Sequence, residues 1–205
     1  DHLRLRAGAA GARGGDRKTM IGYAFCGSFC TLKKSFAAFC EMAESGEELL
    51  PIVSENVWAT DTRFQTAKDF CDRLAAVSGR EVIHTIVGAE PLGPRVVLDM
   101  LIISPCTGNT LAKIAAGITD TAVTMAAKAH LRADRTLVIA LASNDALSAN
   151  LKNIATLLER KNVFFVPMLQ DDPVGKPHSL VADFSRLAET CAFAKNKKQI
   201  QKIFI

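Results

Sequence analysis

Residues 98–131, LDMLIISPCTGNTLAKIAAGITDTAVTMAAKAHL, decide the fold of this chain. The apolar run over residues 98–104 is typical of a buried parallel strand, because helices cover both faces of such a strand. The run ends in the polar loop SPCTGNT, and an alanine-rich helix follows, which we predict over residues 111–129. The loop must therefore lie at the carboxyl edge of a sheet, where open α/β sheets bind their ligands.

This polar loop has groups that can hold a ligand. The first N–H groups of the following helix have no helical partner, and the side chains of Thr107, Asn109 and Thr110 lie close to them in sequence. Together they predict a cradle for an anion or for the edge of a heteroaromatic ring. The chain has no G-x-G-x-x-G motif followed by an acidic residue, so the sequence gives little support for a dinucleotide site.

The composition predicts a globular protein of the cytoplasm. The chain has 205 residues, 49% of them hydrophobic, which is enough to bury a sizeable core. Its net charge is +4, but residues 1–18 hold five basic and two acidic side chains, so the rest is nearly neutral and we expect no nucleic-acid partner. The six cysteines lack the spacing of a disulfide framework or a zinc site, and no apolar run reaches the ~20 residues that span a bilayer. We therefore expect reduced thiols, no metal and no membrane partner.

Strands and helices alternate along most of the chain. This predicts an α/β fold, a three-layer αβα Rossmann-like (flavodoxin-like) sandwich with a mainly parallel sheet. Residues 1–17 are rich in Gly, Ala and Arg without a period, so we interpret them as a disordered tail or an expression-derived extension, and residues 18–205 as a single domain. The predicted strands cover residues 18–26, 48–54, 81–87, 98–104, 136–142 and 162–167. The predicted helices cover residues 28–45, 64–78, 111–129 and 180–194.

Several polar residues follow these predicted strands. The Gly27–Ser28 turn either approaches a phosphate closely or simply starts a helix, and Ser54 either contacts a ligand or caps the next helix. Asp145 is better explained as a helix cap than as an acid catalyst. Trp58 either stacks on a ligand or anchors its loop, and His84 is expected to be structural.

The polar loop over residues 168–179 contains two prolines and is a candidate lid or contact between protomers. Within it, Lys176 and His178 either reach a ligand carboxylate or remain in solvent.

The motif SPCTGNTLAKIAAGITD resembles the flavin loop of the homo-oligomeric flavin mononucleotide (FMN) proteins, the family of the cysteine decarboxylases and flavin prenyltransferases. The segments IGYAFCGSFCT, PIVSENV, TDTRF, AEPLGP, AAKAHLR, ASNDAL and VPMLQDDPVGKP, in this order, resemble one branch of that family, the dipicolinate synthase B subunits. The resemblance covers roughly residues 20–205.

The resemblance implies an FMN site and a nearby carboxylate site. The implied FMN ligands are Gly27, Ser28, Ser54, Thr107, Gly108, Asn109, Thr110 and Ser143. Asn144 matches the asparagine that holds the substrate carboxylate in the Pro-x-Met-Asn turn of the decarboxylases. Leu141 and Ser143 replace the proline and the methionine of that turn, which argues for a different substrate.

Two other features bear on the chemistry. The active-site histidine of the decarboxylases is missing, since Pro91 stands at about its position, with Glu90 beside it. Glu90 is a candidate general base, and a surface salt bridge is the alternative. Near the end of the predicted helix, Lys128, His130 and Arg132 either complement the helix dipole or bind a dianionic substrate.

The first functional hypothesis is that of a flavin-binding subunit of dipicolinate synthase. With a separate A subunit that carries NADP, it would oxidise dihydrodipicolinate, or its hydroxylated tetrahydro precursor, in the mother cell of a spore-forming bacterium. The resemblance also implies a trimer or a dodecamer. Two alternatives stay open: an independent FMN-dependent decarboxylase or prenyltransferase, and a non-catalytic partner of the A subunit.

Overall fold

The computed structural model describes residues 19–205, so the predicted tail over residues 1–17 lies outside the described residues. The strands are β1 (Met20–Phe25), β2 (Glu48–Val53), β3 (Met100–Cys106), β4 (Thr136–Ser143), β5 (Val163–Phe165), β6 (Met168–Leu169) and β7 (Leu180–Ala182). The helices are α1 (Leu32–Glu44), α2 (Glu55–Ala59), α3 (Ala67–Ser78), α4 (Ile86–Ala89), α5 (Gly108–Ala116), α6 (Ala122–Arg132), α7 (Leu151–Leu158) and α8 (Leu187–Lys195).

A mainly parallel sheet forms the centre of the molecule. Its strand order is β2-β1-β3-β4-β7-β6, and β5 also pairs with β4. The strands β1 to β5 pair in parallel, whereas β7 runs antiparallel to both β4 and β6. Every residue of β3 is buried, and its alternate side chains Leu101 and Ile102 belong to two different apolar cores. The predicted αβα sandwich is therefore confirmed.

The predicted helix over residues 111–129 is wrong, because two helices occupy this segment. Gly117, at φ 75°, takes the left-handed conformation that ends α5. Thr121 then starts α6 by accepting a hydrogen bond from the N–H of Thr124, whose hydroxyl in turn accepts from the N–H of Thr121. Each cap satisfies backbone groups that a continuous helix would have paired, so the chain turns between them.

The predicted strand over residues 81–87 is also wrong. Only Ile83 pairs with the sheet, through a bridge to Ile52. Thr85 then accepts a hydrogen bond from the N–H of Gly88 at 2.9 Å and starts the short helix α4. The local cap therefore prevails over the alternating polarity of this segment.

The predicted end of the fold needs two corrections. The strand expected over residues 162–167 contains the shorter β5, and two further strands follow it. The helix expected over residues 180–194 begins instead with β7, and α8 starts only at Leu187. A three-residue apolar strand and the first turn of a helix look alike in sequence. Here the pairing of β7 with β4 makes the segment a strand.

A buried polar cluster joins α1 to the end of β3. The Ser35 hydroxyl donates to the carbonyl oxygen of Ser104 at 2.5 Å, and the Tyr23 hydroxyl donates to the carbonyl oxygen of Ser35 at 2.9 Å. Burial raises the pKa of Tyr23, so its phenol remains a donor. The cluster fixes the start of α1 beside the loop that follows β3.

The basic residues near the end of α6 do not form one cluster. Lys128 and Arg132 are four residues apart and share one side of the helix, whereas His130, two residues from each, lies on the opposite side. His130 is 2% exposed, and its Nε2 is a buried atom without a hydrogen-bond partner in the described part of the chain. Burial, followed by the charges of Arg135 and Lys197, lowers the pKa of His130 to about 4.

We expect Ser35→Ala to lower the free energy of unfolding by about 1–3 kcal/mol, because it removes a buried donor to the Ser104 carbonyl. Urea unfolding followed by circular dichroism measures this change. Ser45→Ala, at an exposed position after α1, is the control and should change stability by less than about 0.5 kcal/mol. Equal effects of the two substitutions would contradict the structural role of the cluster.

We expect His130→Leu to reduce the acid sensitivity of the protein. The folded-state pKa of about 4 lies below the unfolded value of about 6.5, so the unfolded chain takes up a proton first as the pH falls. The stability contributed by neutral His130 is complete above pH about 6.5 and is lost towards pH about 4, by about 3 kcal/mol at most.

Urea unfolding at a series of pH values between these limits measures the slope of stability with pH for each variant. The exposed His178, changed to Gln, is the matched control and should keep the wild-type slope. A His130→Leu variant with an unchanged slope would contradict the assignment.

Candidate functional site

A cavity of about 470 Å³ opens at the carboxyl edge of the sheet. The turns after β1, β3 and β4 and the loop between β6 and β7 form its walls. Predicted site residues that line it are Gly27, Ser28, Thr107, Gly108, Asn109, Ser143 and Asn144. The volume is in the usual range for a small-ligand or cofactor site.

The turn after β1 presents an open helix N-terminus to this cavity. Thr31, the residue before α1, makes no side-chain cap, and its hydroxyl donates instead to the carbonyl oxygen of Ser28 at 3.0 Å. Thr31 therefore leaves the first N–H groups of α1 without a side-chain cap from the residue that precedes the helix. An uncapped helix N-terminus beside a glycine turn is suited to bind a phosphate.

The loop after β3 is fixed from both sides. Thr107 accepts a hydrogen bond from the N–H of Thr110 at 3.2 Å, and its hydroxyl donates to that of Thr110 at 3.0 Å. The N–H of Cys26 donates to the carbonyl oxygen of Pro105 at 3.1 Å, which holds this loop beside the turn after β1. Thr110 supports the loop and does not line the cavity, whereas Asn109 is exposed and lines it.

The turn after β4 contains an ionised carboxylate that is already bound. Asp145 Oδ1 accepts from the Ser143 hydroxyl at 2.5 Å and from Asn150 Nδ2 at 2.8 Å, and these two bonds lower its pKa. Our interpretation of Asp145 as a helix cap is wrong, because Asn150 precedes α7 and no side chain caps that helix. Its carboxylate instead fixes the turn and leaves the Asn144 amide exposed to the cavity.

Gly108 allows the first turn of α5 to approach this polar cluster. A Cβ atom at position 108 would lie 2.5 Å from Ser143 Oγ, 2.7 Å from Asn150 Nδ2 and 2.8 Å from Asp145 Oδ1. Only glycine fits without displacing these atoms. The N-terminus of α5 therefore faces a carboxylate of its own chain, whereas the first turn of α1 contains no acidic residue.

The loop between β6 and β7 supplies wall residues outside our predicted site set, namely Asp171, Lys176, Ser179 and Leu180. From the sequence, it stayed open whether Lys176 reaches a ligand carboxylate or remains in solvent. Recognition of β7 as a strand would have indicated this wall, but its apolar pattern led us to predict a helix there.

Ser54 and Trp58 lie outside the cavity lining. The Ser54 side chain accepts a hydrogen bond from the N–H of Val57 at 3.3 Å, so it caps α2, a helix absent from our prediction. Trp58 stacks on His84, with ring centroids 3.6 Å apart and the planes 1° from parallel. Ser54 is thus a helix cap and Trp58 anchors its loop, which are alternatives that the sequence left open for them. Contact of Ser54 with FMN stays a prediction.

Four other predicted residues do not line this cavity. Lys128, His130 and Arg132 lie near the end of α6, which leads to the start of β4 at the amino edge of the sheet, opposite the cavity. Lys128 and Arg132 line a separate groove of about 440 Å³, together with residues around Gly117. Glu90 is exposed at the end of α4 and does not line the cavity either.

Within residues 19–205, no group of three or more His, Cys, Asp or Glu side chains is arranged to hold a metal ion. Across the same described residues, no helix combines the length and the apolar character needed to cross a membrane.

Comparison with known proteins identifies the family of this chain. The flavoprotein family model matches residues 33–191. The dipicolinate synthase B subunit of Bacillus subtilis (strain 168) is 41% identical over 185 residues, which are 90% of this chain and 92% of that protein. The structure of the dipicolinate synthase B subunit from Bacillus halodurans superposes with a TM-score of 0.83 at 36% identity, covering 91% of this chain and 96% of that one.

A more distant structure supports the fold alone. The FMN-dependent cysteine decarboxylase SpaF superposes with a TM-score of 0.64 at 22% identity, over 87% of this chain and 97% of that one. Because the family model matches most of the chain and the Bacillus subtilis protein matches 90% of it, this chain belongs to the flavoprotein family, in the branch of the dipicolinate synthase B subunits.

Proposed function

We propose that this protein is the FMN-binding subunit of a dipicolinate synthase. The observation that carries the proposal is the convergence, in one cavity, of the glycine turn after β1, the Thr-Gly-Asn loop after β3 and the Ser-Asn turn after β4. Together with a separate, NADP-carrying A subunit, it would oxidise dihydrodipicolinate to pyridine-2,6-dicarboxylate. The hydroxylated tetrahydro precursor would reach the same product by loss of water and the same two-electron oxidation. Its place would be the cytoplasm of the mother cell.

The residues present fit FMN. The N-terminus of α1 receives no side-chain cap and suits the phosphate, whereas Asp145 faces the N-terminus of α5 and would repel it. Between them, the exposed Asn109 amide offers both donors and an acceptor. The Thr107 and Ser143 hydroxyls already donate within the chain and add neutral polar groups, and such a lining suits the polar edge of the isoalloxazine ring. When bound, FMN supplies a two-electron acceptor for hydride.

The protein's own part is to orient the substrate ring. Oxidation removes a hydride from one ring atom and a proton from a neighbouring one, and the product gains aromatic stabilisation. The exposed Asn144 amide would hold one carboxylate and so fix the ring against the flavin. Glu90 stays our candidate base, and because it does not line the cavity of its own protomer, this role requires a site shared with a neighbouring copy. The proposed trimer or dodecamer would supply that copy.

Independent decarboxylation is the less favoured alternative. The turn after β4 has Leu141 and Ser143 where the decarboxylases have proline and methionine, and no histidine stands at the position of their catalytic imidazole. Release of carbon dioxide from phosphopantothenoylcysteine, or from a peptide ending in cysteine, would establish this alternative.

Reconstitution with the A subunit tests the proposed function. We expect the purified protein to show the visible absorbance of oxidised flavin and to form pyridine-2,6-dicarboxylate when the A subunit, NADP and the dihydro substrate are present. Removal of FMN should abolish product formation, and its addition should restore it. A colourless protein that still supports synthesis would indicate a non-catalytic partner, and no synthesis under any condition would contradict the proposal.

Asn109→Ala and Asn144→Ala should affect different ligands. Loss of the Asn109 amide removes a polar group from the loop after β3, so FMN affinity should fall by roughly 10-fold, as for one hydrogen bond. Loss of the Asn144 amide should leave FMN binding intact and raise the substrate concentration needed for half-maximal synthesis. Flavin fluorescence titration and steady-state kinetics measure the two effects. Equal, negligible effects of both substitutions would contradict the site.

A further inference from the structure

The loop between β6 and β7 is built over the cavity. Because β7 pairs antiparallel with the last residues of β4, Ala142 with Val181 and Ser143 with Leu180, the start of β7 lies at the carboxyl edge. Residues 170–179 therefore extend from that edge. The N–H of Leu147 donates to the carbonyl oxygen of His178 at 2.9 Å, which attaches this loop to the segment after β4.

Internal hydrogen bonds fix the backbone around Lys176. Its N–H donates to the carbonyl oxygen of Asp172 at 2.8 Å, and its own carbonyl oxygen accepts from the N–H of Ser179 at 3.1 Å. The Asp172 carboxylate accepts from the N–H of Gly175 at 2.8 Å, and Gln170 Nε2 donates to the carbonyl oxygen of Pro177 at 3.0 Å. These hydrogen bonds within the loop therefore hold the backbone of Lys176 in place.

Lys176 is also the one cation among the described residues that line the cavity, and the acidic residues in this lining are Asp145 and Asp171. Asp145 is bound by Ser143 and Asn150, as described above. The Lys176 ammonium has no ion pair and no hydrogen bond within the described chain. A ligand anion could therefore accept hydrogen bonds from this exposed ammonium group.

The loop with Lys176 leads into β7, which is three strands away from β1, the strand whose turn holds the proposed phosphate site. The order β1-β3-β4-β7 separates the turn after β1 from this loop by three strand spacings, about 14 Å. The turn with Asn144 follows β4, the strand next to β7, and both this turn and Lys176 line the cavity.

We propose that Lys176 binds the second carboxylate of a dicarboxylate ligand while the Asn144 amide holds the first. The proposal rests on the proposed function and assigns the recognition of the doubly charged substrate to this loop, in place of the cluster at the end of α6. Lys176 is then a specificity residue: it distinguishes a dicarboxylate from the corresponding monocarboxylate.

Titration calorimetry on the FMN-loaded protein tests this, with pyridine-2,6-dicarboxylate and pyridine-2-carboxylate as the probes. For the wild type we expect tighter binding of the dicarboxylate. Lys176→Ala should weaken dicarboxylate binding by roughly 10- to 100-fold, as expected for a charge-assisted hydrogen bond, and should change monocarboxylate binding little. Lys152→Ala, an exposed position on α7 outside the cavity, is the matched control and should bind both probes like the wild type.

Three results would overturn the proposal. The first is that Lys176→Ala weakens the binding of both probes equally, and the second is that dicarboxylate binding is unchanged in that variant. The third is that the variant loses affinity for FMN and not for the dicarboxylate, which would pair Lys176 with the phosphate. Reconstitution separates this failure from failure of the proposed function. A Lys176→Ala variant with normal dicarboxylate binding, beside a wild type that supports synthesis, overturns the role of Lys176 alone.

Discussion

The parallel pairing of β3 between β1 and β4 is the constraint on which the site depends. In this register Ile102 lies beside both Tyr23 and Val138, so three neighbouring strands end at one edge. Parallel strands place their following turns together at one edge, and burial of every residue of β3 keeps this strand in the middle of the sheet. The bond from Ser35 to the Ser104 carbonyl then fixes α1 against the end of β3. The convergence of the three turns is thus a consequence of the core.

The two helices that start at this edge differ electrostatically, although both present an N-terminus. Gly108 brings the start of α5 against the bound Asp145 carboxylate, which compensates the positive end of its dipole. The first turn of α1 contains no acidic residue, and Thr31 before it makes no side-chain cap. An added anion is therefore better accommodated at α1, and the middle of the cavity, lined by amides and hydroxyls, suits a neutral ring. This difference in charge along the cavity favours one orientation of a ligand that carries both a phosphate and a neutral ring.

The sequence predicted those parts of the site that depend on local pattern. The apolar run of β3 and the polar loop after it identified the carboxyl edge, and topology then brought Gly27 and Asn144 to that edge. The pattern could not predict β7, because its three apolar residues become a strand only through pairing with β4. The three basic residues on α6 do not face one direction, for a reason visible in helix geometry. Residues two apart, such as Lys128 and His130, face different directions, and one of them had to enter the core.

The antiparallel direction of β7 explains why a segment so remote in sequence can complete the site. A parallel strand beside β4 would begin at the amino edge, and the chain before it would lie far from the cavity. An antiparallel strand begins at the carboxyl edge, so the preceding loop, with Lys176, must extend over the turn that holds Asn144. The hydrogen bond from Leu147 to His178 holds the loop there before any ligand binds. Binding therefore requires little ordering of the backbone, and the charge of Lys176 contributes to affinity and specificity.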